Sequence, residues 1–211
     1  LVIFAGSILH TTTGFGYGLF AIPVLLLLGL QPYEAMVIMG LSVIAHGCLS
    51  IWQMRRELPG WNVVWMAAIA CAMQPVGGWL LGRVVLLDRT TISQIFGILV
   101  LVVLPLRLWF RVEPRERVHP FWTVLVMVLS GIIGGFSGMG GPPVVLWTMA
   151  HRWSNNRMRI TLWTLFASLA ATNMVWLRLR FGASVDRAML VGLIYVPLVL
   201  IGTIPGNWIG R

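Results

Sequence analysis

The residues of this sequence best suited to chemistry are glycines. One box reads Gly14-Phe15-Gly16-Tyr17-Gly18 and is followed by Pro23. A second reads Gly134-Gly135-Phe136-Ser137-Gly138-Met139-Gly140-Gly141-Pro142-Pro143. Both lie in apolar stretches. Glycine and proline weaken helices, so each box is expected to break the stretch that carries it. A broken helix leaves backbone N–H groups unpaired, and the positive end of the following half-helix adds to them. The chemistry this permits is capture of a small oxyanion by backbone donors. In that reading Gly14, Gly16, Gly18, Gly135, Gly138, Gly140 and Gly141 let the chain approach the anion. Tyr17 stands beside them, and Ser137 adds a hydroxyl donor. Pro23, Pro142 and Pro143 are expected to serve as structural hinges. The plainer use of such glycines is close helix packing. Two boxes, each followed by proline, favour binding over packing.

A few polar side chains in the apolar stretches join the candidate binding set. His46 sits in Ala45-His46-Gly47, with Ser42 one turn earlier on the same face. A buried histidine can hold an anion or carry a proton, or simply hydrogen-bond a neighbouring carbonyl. Asn173, with Ser168 nearby, can donate to an oxyanion or bridge two helices. Arg159 can draw anions inward or anchor a helix end. His10, Gln53 and Gln74 are weaker candidates, and Gly78 and Gly82 read as helix contacts. No carboxylate lies well inside an apolar stretch. Glu34 and Asp186 fall near helix starts, where acids suit the helix dipole. A cation path built on Asp or Glu is therefore disfavoured. No nucleotide-binding motif is present, and no metal site, cofactor or catalytic residue is assigned.

A rival chemistry is nucleophilic. Gly135-Phe136-Ser137-Gly138 fits the Gly-x-Ser-Gly box of rhomboid intramembrane serine proteases, and His46 is a buried base. Such catalysis needs a Ser–His pair in hydrogen-bond reach and an oxyanion hole. Rhomboids place the histidine after the serine, and here only His151 follows, near a membrane edge. The first box has no serine at all. The protease stands as the alternative, together with a membrane subunit that transports nothing.

The elements that must position these residues are membrane helices. Mean hydropathy is +0.89, and 58% of residues are hydrophobic against 10% charged, where a soluble domain carries about 25% charged. Uncharged runs cover 61–82, 90–106, 121–150, 160–177 and 188–210, and a span needs roughly 20 apolar residues. The fold class expected is an all-α polytopic bundle of about 7 membrane segments. A β-barrel would show short alternating segments, which are missing. Helices are expected over 32–54, 61–82, 90–110, 156–177 and 186–210. All 15 basic residues are arginines in a chain of net charge +9. They lie in short loops between apolar runs, which suits topology signals and lipid headgroups rather than nucleic acid. Cys48 and Cys71 read as small core residues. The chain starts at Leu1, and no basic segment precedes the apolar residues 1–9, so no signal peptide is assigned.

The halves correspond beyond the boxes. Pro23 matches Pro143, and Gly78-x-x-x-Gly82-Arg83 matches Gly206-x-x-x-Gly210-Arg211. The sequence thus divides into a first repeat over 1–110, a polar linker over 111–120 and a second repeat over 121–211. The helix at 90–110 has no counterpart after Arg211, so the last helix of the second repeat is expected to be missing. A matched pair of broken apolar segments is also the sequence pointer to a transporter's substrate site.

Topology turns on whether the broken segments cross. As one helix, residues 1–29 would span about 43 Å, against a core of about 30 Å. If both broken segments cross once, nine arginines share a side: Arg55, Arg56, Arg107, Arg111, Arg115, Arg117, Arg178, Arg180 and Arg187. If both are re-entrant hairpins, ten lie together: Arg55, Arg56, Arg107, Arg111, Arg115, Arg117, Arg152, Arg157, Arg159 and Arg211. The second arrangement satisfies the positive-inside rule slightly better and makes the halves inverted repeats, which suits alternating access.

With its Gly-x-Gly-x-Gly box and following proline, the repeat of that box as Gly-x-x-Gly-Pro-Pro, and the Gly-Arg ends, the chain resembles the sulfite exporter TauE/SafE family over essentially its whole length. These are permeases of the toluene-sulfonate uptake group. The resemblance implies two four-helix repeats in a prokaryotic-type inner membrane and transport of small sulfur-containing anions such as sulfite, sulfonates or sulfoacetate. It implies no cofactor. The expected partners are that anion and the lipid bilayer, with a homodimer as the admissible assembly. Two features depart from the family pattern: Tyr17 stands where the first box commonly has glycine, and the last helix is absent.

Overall fold

The computed structural model describes residues 4, 6, 7, 16–54, 57, 60–109, 114–116 and 118–209. Gly14 and His10 therefore lie outside the described residues, as do Gly210 and Arg211 of the second Gly-Arg motif. Eight helices follow along the described chain: α1 Tyr17–Leu27, α2 Pro32–Met54, α3 Trp61–Val84, α4 Arg89–Trp109, α5 Pro120–Ser137, α6 Gly141–Met149, α7 Asn155–Phe181 and α8 Ala183–Ile209. No strand occurs among the described residues beyond one isolated bridge between Arg115 and His151. Five helices are long and apolar enough to cross a membrane: Pro32–Met54, Asn62–Val84, Pro120–Ser137, Asn155–Phe181 and Ala183–Gly202. The chain is thus an all-helical, multi-pass membrane protein. At 11 and 9 residues, α1 and α6 are too short to cross alone, reaching only about 17 and 14 Å.

Local chemistry sets the helix ends. Glu34 Oε2 accepts from Gln31 N at 2.8 Å ahead of α2, and Asp88 accepts from Thr91 N at 2.9 Å at the start of α4. His119 Nδ1 accepts from Phe121 N ahead of α5, and Ser154 Oγ accepts from Arg157 N ahead of α7. Each side chain pairs an N–H that the helix cannot satisfy itself. Two expected boundaries move. α7 runs on to Phe181 rather than stopping near 177, and α8 opens at Ala183 rather than 186. The cause is that Arg178 and Arg180 are good helix formers with exposed heads. Arg178 pairs with Asp186 across the turn, so the break falls instead at Gly182.

α2 lies at the centre, packed by α1, α7 and α8, while α3 packs on α5 and α7. α2 and α7 run antiparallel. Tyr33 near the start of α2 stacks on Phe181 at the end of α7, with centroids 4.4 Å apart. Gly40 faces Ala170 and Met174, and Gly47 faces Ala167. Asn156 at the start of α7 donates to Glu57 beyond the end of α2. α3 and α5 approach through glycine: a Cβ on Gly77 would strike the α5 backbone at Ile132, and one on Gly131 or Gly135 would strike the α3 backbone at Ala70 or Gln74. Two packing expectations change. Gly78 faces open space, whereas Gly82 does meet the Arg180 guanidinium. Cys48 is exposed, because the buried stripe of α2 passes through His46 and Gly47 and leaves the next position outside.

α5 and α6 form an antiparallel hairpin. Near its open end Trp147 Nε1 donates to Thr123 Oγ1 at 3.0 Å; further in, Ser130 Oγ donates to Gly140 O at 2.5 Å. The chain before α5 meets the chain after α6: Arg115 N donates to Ala150 O at 2.8 Å and Arg152 N to Arg115 O at 3.3 Å. The hairpin turns at Gly138, whose φ of 71° is left-handed and open to glycine at no steric cost.

Candidate functional site

The turn of that hairpin and the start of α1 meet at one cavity of about 80 Å³, room for a small molecule, since a single water needs only about 10–15 Å³ of such space. Gly16, Tyr17, Gly18 and Leu19 line one wall, and Gly138, Met139, Gly140, Gly141 and Pro142 line another. The two breaks touch: a Cβ on Gly18 would lie 3.2 Å from Gly138 O. α2 closes the cavity with Met36, Met39, Gly40 and Val43, and α7 with Phe166, Leu169, Ala170 and Asn173. Gln74 of α3 and Gly134 of α5 complete it.

Both short helices point their N-termini at this cavity, and neither N-terminus carries a side-chain cap among the described residues. Phe20 N is the donor to Gly16 O, so the amides of Tyr17, Gly18 and Leu19 precede the first intrahelical bond of α1. The α6 end is poorer in donors. Pro142 and Pro143 have no N–H, leaving Gly141 as the first. Proline in the first turn costs the helix nothing, whereas Pro23 lies inside α1. The dipole and the donors of α1 make that pole of the cavity electropositive without any charged side chain.

The expected binding residues divide. Gly16, Tyr17, Gly18, Gly138, Gly140, Gly141 and Asn173 line the cavity. Asn173 Nδ2 donates to Gly134 O at 3.4 Å, the carbonyl that also accepts from Gly138 N at 2.8 Å, so Asn173 steadies the turn. Ser42 stands behind the wall, its hydroxyl donating to Ile38 O and facing Tyr17. Gly135 faces α3, away from the cavity. Ser137 is buried beneath the turn, donating to Ile133 O at 2.8 Å and accepting from Met139 N at 3.2 Å. His46 and Arg159 also stand off the cavity, both against Trp163. His46 meets its ring edge-on with centroids 5.0 Å apart, and the Arg159 guanidinium lies 4.9 Å above it. Gln74, one of the weaker sequence candidates, is at the cavity instead. A lone glutamine in an apolar run carries no spacing signal, so only the fold brings it forward.

The serine arrangement differs from a protease dyad. Ser137 bonds the backbone groups Ile133 O and Met139 N, and His151 Nδ1 pairs with Trp147 O at 2.8 Å.

Searches of curated proteins and of solved structures found no match. A family model does match: that of the sulfite exporter TauE/SafE covers residues 1–211, the full sequence. With its apolar helices, its two glycine breaks and this match over the whole length, the chain belongs to the sulfite exporter TauE/SafE family of membrane transporters.

Proposed function

We propose that this protein is a secondary transporter of small sulfur-containing anions such as sulfite, sulfonates or sulfoacetate, working in a prokaryotic-type inner membrane. The cargo sits in the cavity between the two glycine breaks, its oxyanion held by the amides that open α1 and by Gly141. The single observation that carries this is the meeting of two half-helix N-termini, without side-chain caps among the described residues, at one small-molecule-sized cavity in an apolar bundle. Irregular backbone in a bilayer is tolerated where it lines such a cavity.

The mechanism proposed is alternating access between two inverted repeats. α1, α2 and α3 correspond to α6, α7 and α8, each set opening on a short half-helix. The antiparallel packing of α2 on α7 is what an in-plane two-fold axis would produce. The hydrogen bonds between Arg115 and the chain after α6 favour a re-entrant hairpin over a crossing. Pro23, Pro142 and Pro143 would then act at the hinges, and Arg159 would draw anions toward the bundle.

Transport in proteoliposomes tests this reading. Vesicles loaded with labelled sulfite or ethanesulfonate should release it through the wild-type protein and not through Gly18→Leu, whose side chain would occupy the cavity. Release at the rate of empty vesicles for every sulfur anion tried would reject the function. Topology has its own test in a background without Cys48 and Cys71. Cysteines at Pro120 and Ser154, which flank the α5–α6 hairpin and are both exposed, should label from the same face of the membrane, and labelling from opposite faces would reject the re-entrant hairpin.

A further inference from the structure

We infer that Gln74 is a specificity-determining residue, and that it selects cargo bearing a hydrogen-bond donor beside the anionic group over cargo whose polar atoms only accept. Hydroxy- or amino-alkanesulfonates and hydrogensulfite are of the first class; sulfate and plain alkanesulfonates are of the second. The inference rests on the transport reading above and adds which member of the substrate class the site prefers.

Gln74 lies in mid-α3, is 1% exposed and lines the cavity. Its amide orientation is fixed by chemistry, because Nε2 donates to Leu169 O of α7 at 2.7 Å. A carbonyl cannot accept from an oxygen that has no proton, so the nitrogen must face Leu169. The other amide atom, Oε1, is buried, and no donor among the described residues reaches it. A buried acceptor without a partner is unfavourable, and the great majority of such groups are paired. A cargo with an O–H or N–H satisfies Oε1. A cargo with acceptors alone sets one oxygen against another.

The rest of the wall supports a bifunctional cargo. The anionic pole is the start of α1, while Gln74 belongs to α3. Met39, Val43, Phe166 and Leu169 of the same lining offer apolar surface to a short hydrocarbon spacer. A site built to hydrogen-bond a polar group rejects the analogue lacking it far better than an apolar pocket rejects an extra methylene.

The test uses 2-hydroxyethanesulfonate and ethanesulfonate, which differ in one hydroxyl, with the purified full chain in detergent. The wild type should bind the hydroxylated anion about tenfold more tightly, the lower part of the range expected for leaving a buried acceptor unpaired. Gln74→Met should bring that ratio near one while ethanesulfonate still binds. A wild-type ratio near one overturns the inference and leaves the transport reading intact; this arm needs no variant, so it stands even if Gln74→Met does not fold. A ratio that survives in Gln74→Met also overturns it. Failure of both sulfonates and of sulfite to bind overturns the transport reading and this inference together.

Discussion

Gly138 holds a left-handed φ of 71°, and a Cβ there would meet Ile22 Cδ1 at 2.8 Å and Met36 Cγ at 3.0 Å. Gly138→Ala should therefore destabilise by about 1–2 kcal/mol from the backbone conformation alone. Gly78 is the control, since it is helical and faces open space. Gly78→Ala should be neutral or stabilise by about 0.5–1 kcal/mol. Thermal unfolding in detergent checks both, and equal effects would contradict the assignment of Gly138 to the turn. His151 lies between α6 and α7, outside the spanning helices. Burial lowers its pKa below the ordinary 6.5, the hydrogen bond to Trp147 O opposes this, and Arg157 lowers it further. The fold thus favours neutral imidazole, while the unfolded chain protonates near pH 6.5. The contribution is full above that pH and is lost as pH falls below it. The melting temperature of the wild type should fall more steeply below pH 6.5 than that of His151→Gln. Much of the site was legible in residues such as Gly16, Gly18, Gly138 and Gly140, because no other residue type serves a broken helix. Gly135 and Ser137 were drawn into it by proximity in sequence. Their helical phase turns them toward α3 and Ile133, and phase relative to a cavity is a tertiary property.

The α5–α6 hairpin depends on few polar bonds. Ser130→Ala would leave Gly140 O buried without its hydroxyl donor, costing about 1–3 kcal/mol. Gly131→Leu would force α5 away from the α3 backbone at Ala70, with an overpacking cost of about 1–3 kcal/mol or more. Both should lower the melting temperature, and an unchanged value for Gly131→Leu would contradict the close crossing of α3 and α5. Helix positions were readable because uncharged runs as long as 61–82 admit no other element in a bilayer. Their ends were less so. Arg178 and Arg180 look like a loop by charge, yet they continue α7, because a long side chain carries its charge away from the helix axis. The turn of α5 back into α6 at the Gly box is the course the re-entrant arrangement expected, whereas the contacts that hold it, such as Trp147 to Thr123, could not be read.

Across the molecule, the bundle gathers its described arginines toward two ends. Arg115, Arg152 and Arg157 lie with Glu57 where α2 ends and α7 begins, and Arg178, Arg180 and Arg187 lie where α7 turns into α8. Sequence charge counts alone separated the two topologies by one arginine, too small a margin to decide. The hydrogen bond from Arg115 N to Ala150 O adds what the counts lack, the nearness of the chain before α5 to the chain after α6. What charge counting could not supply was proximity across the bundle, and that is also why Met36, Met39 and Phe166 of the cavity walls were invisible in the sequence, where Asn173 and Gln74 stood only as isolated polar residues.

The central claim is that an anion binds between the two glycine breaks, and thermal stabilisation of the purified full chain by sulfur anions tests it most directly. At one hundred times its Kd, sulfite or a sulfonate should stabilise the wild type by about 2.7 kcal/mol. Gly18→Leu, with a cooperative melt of its own, should show no such shift. An equal shift in Gly18→Leu, or no shift in the wild type with any of these anions, would contradict the claim.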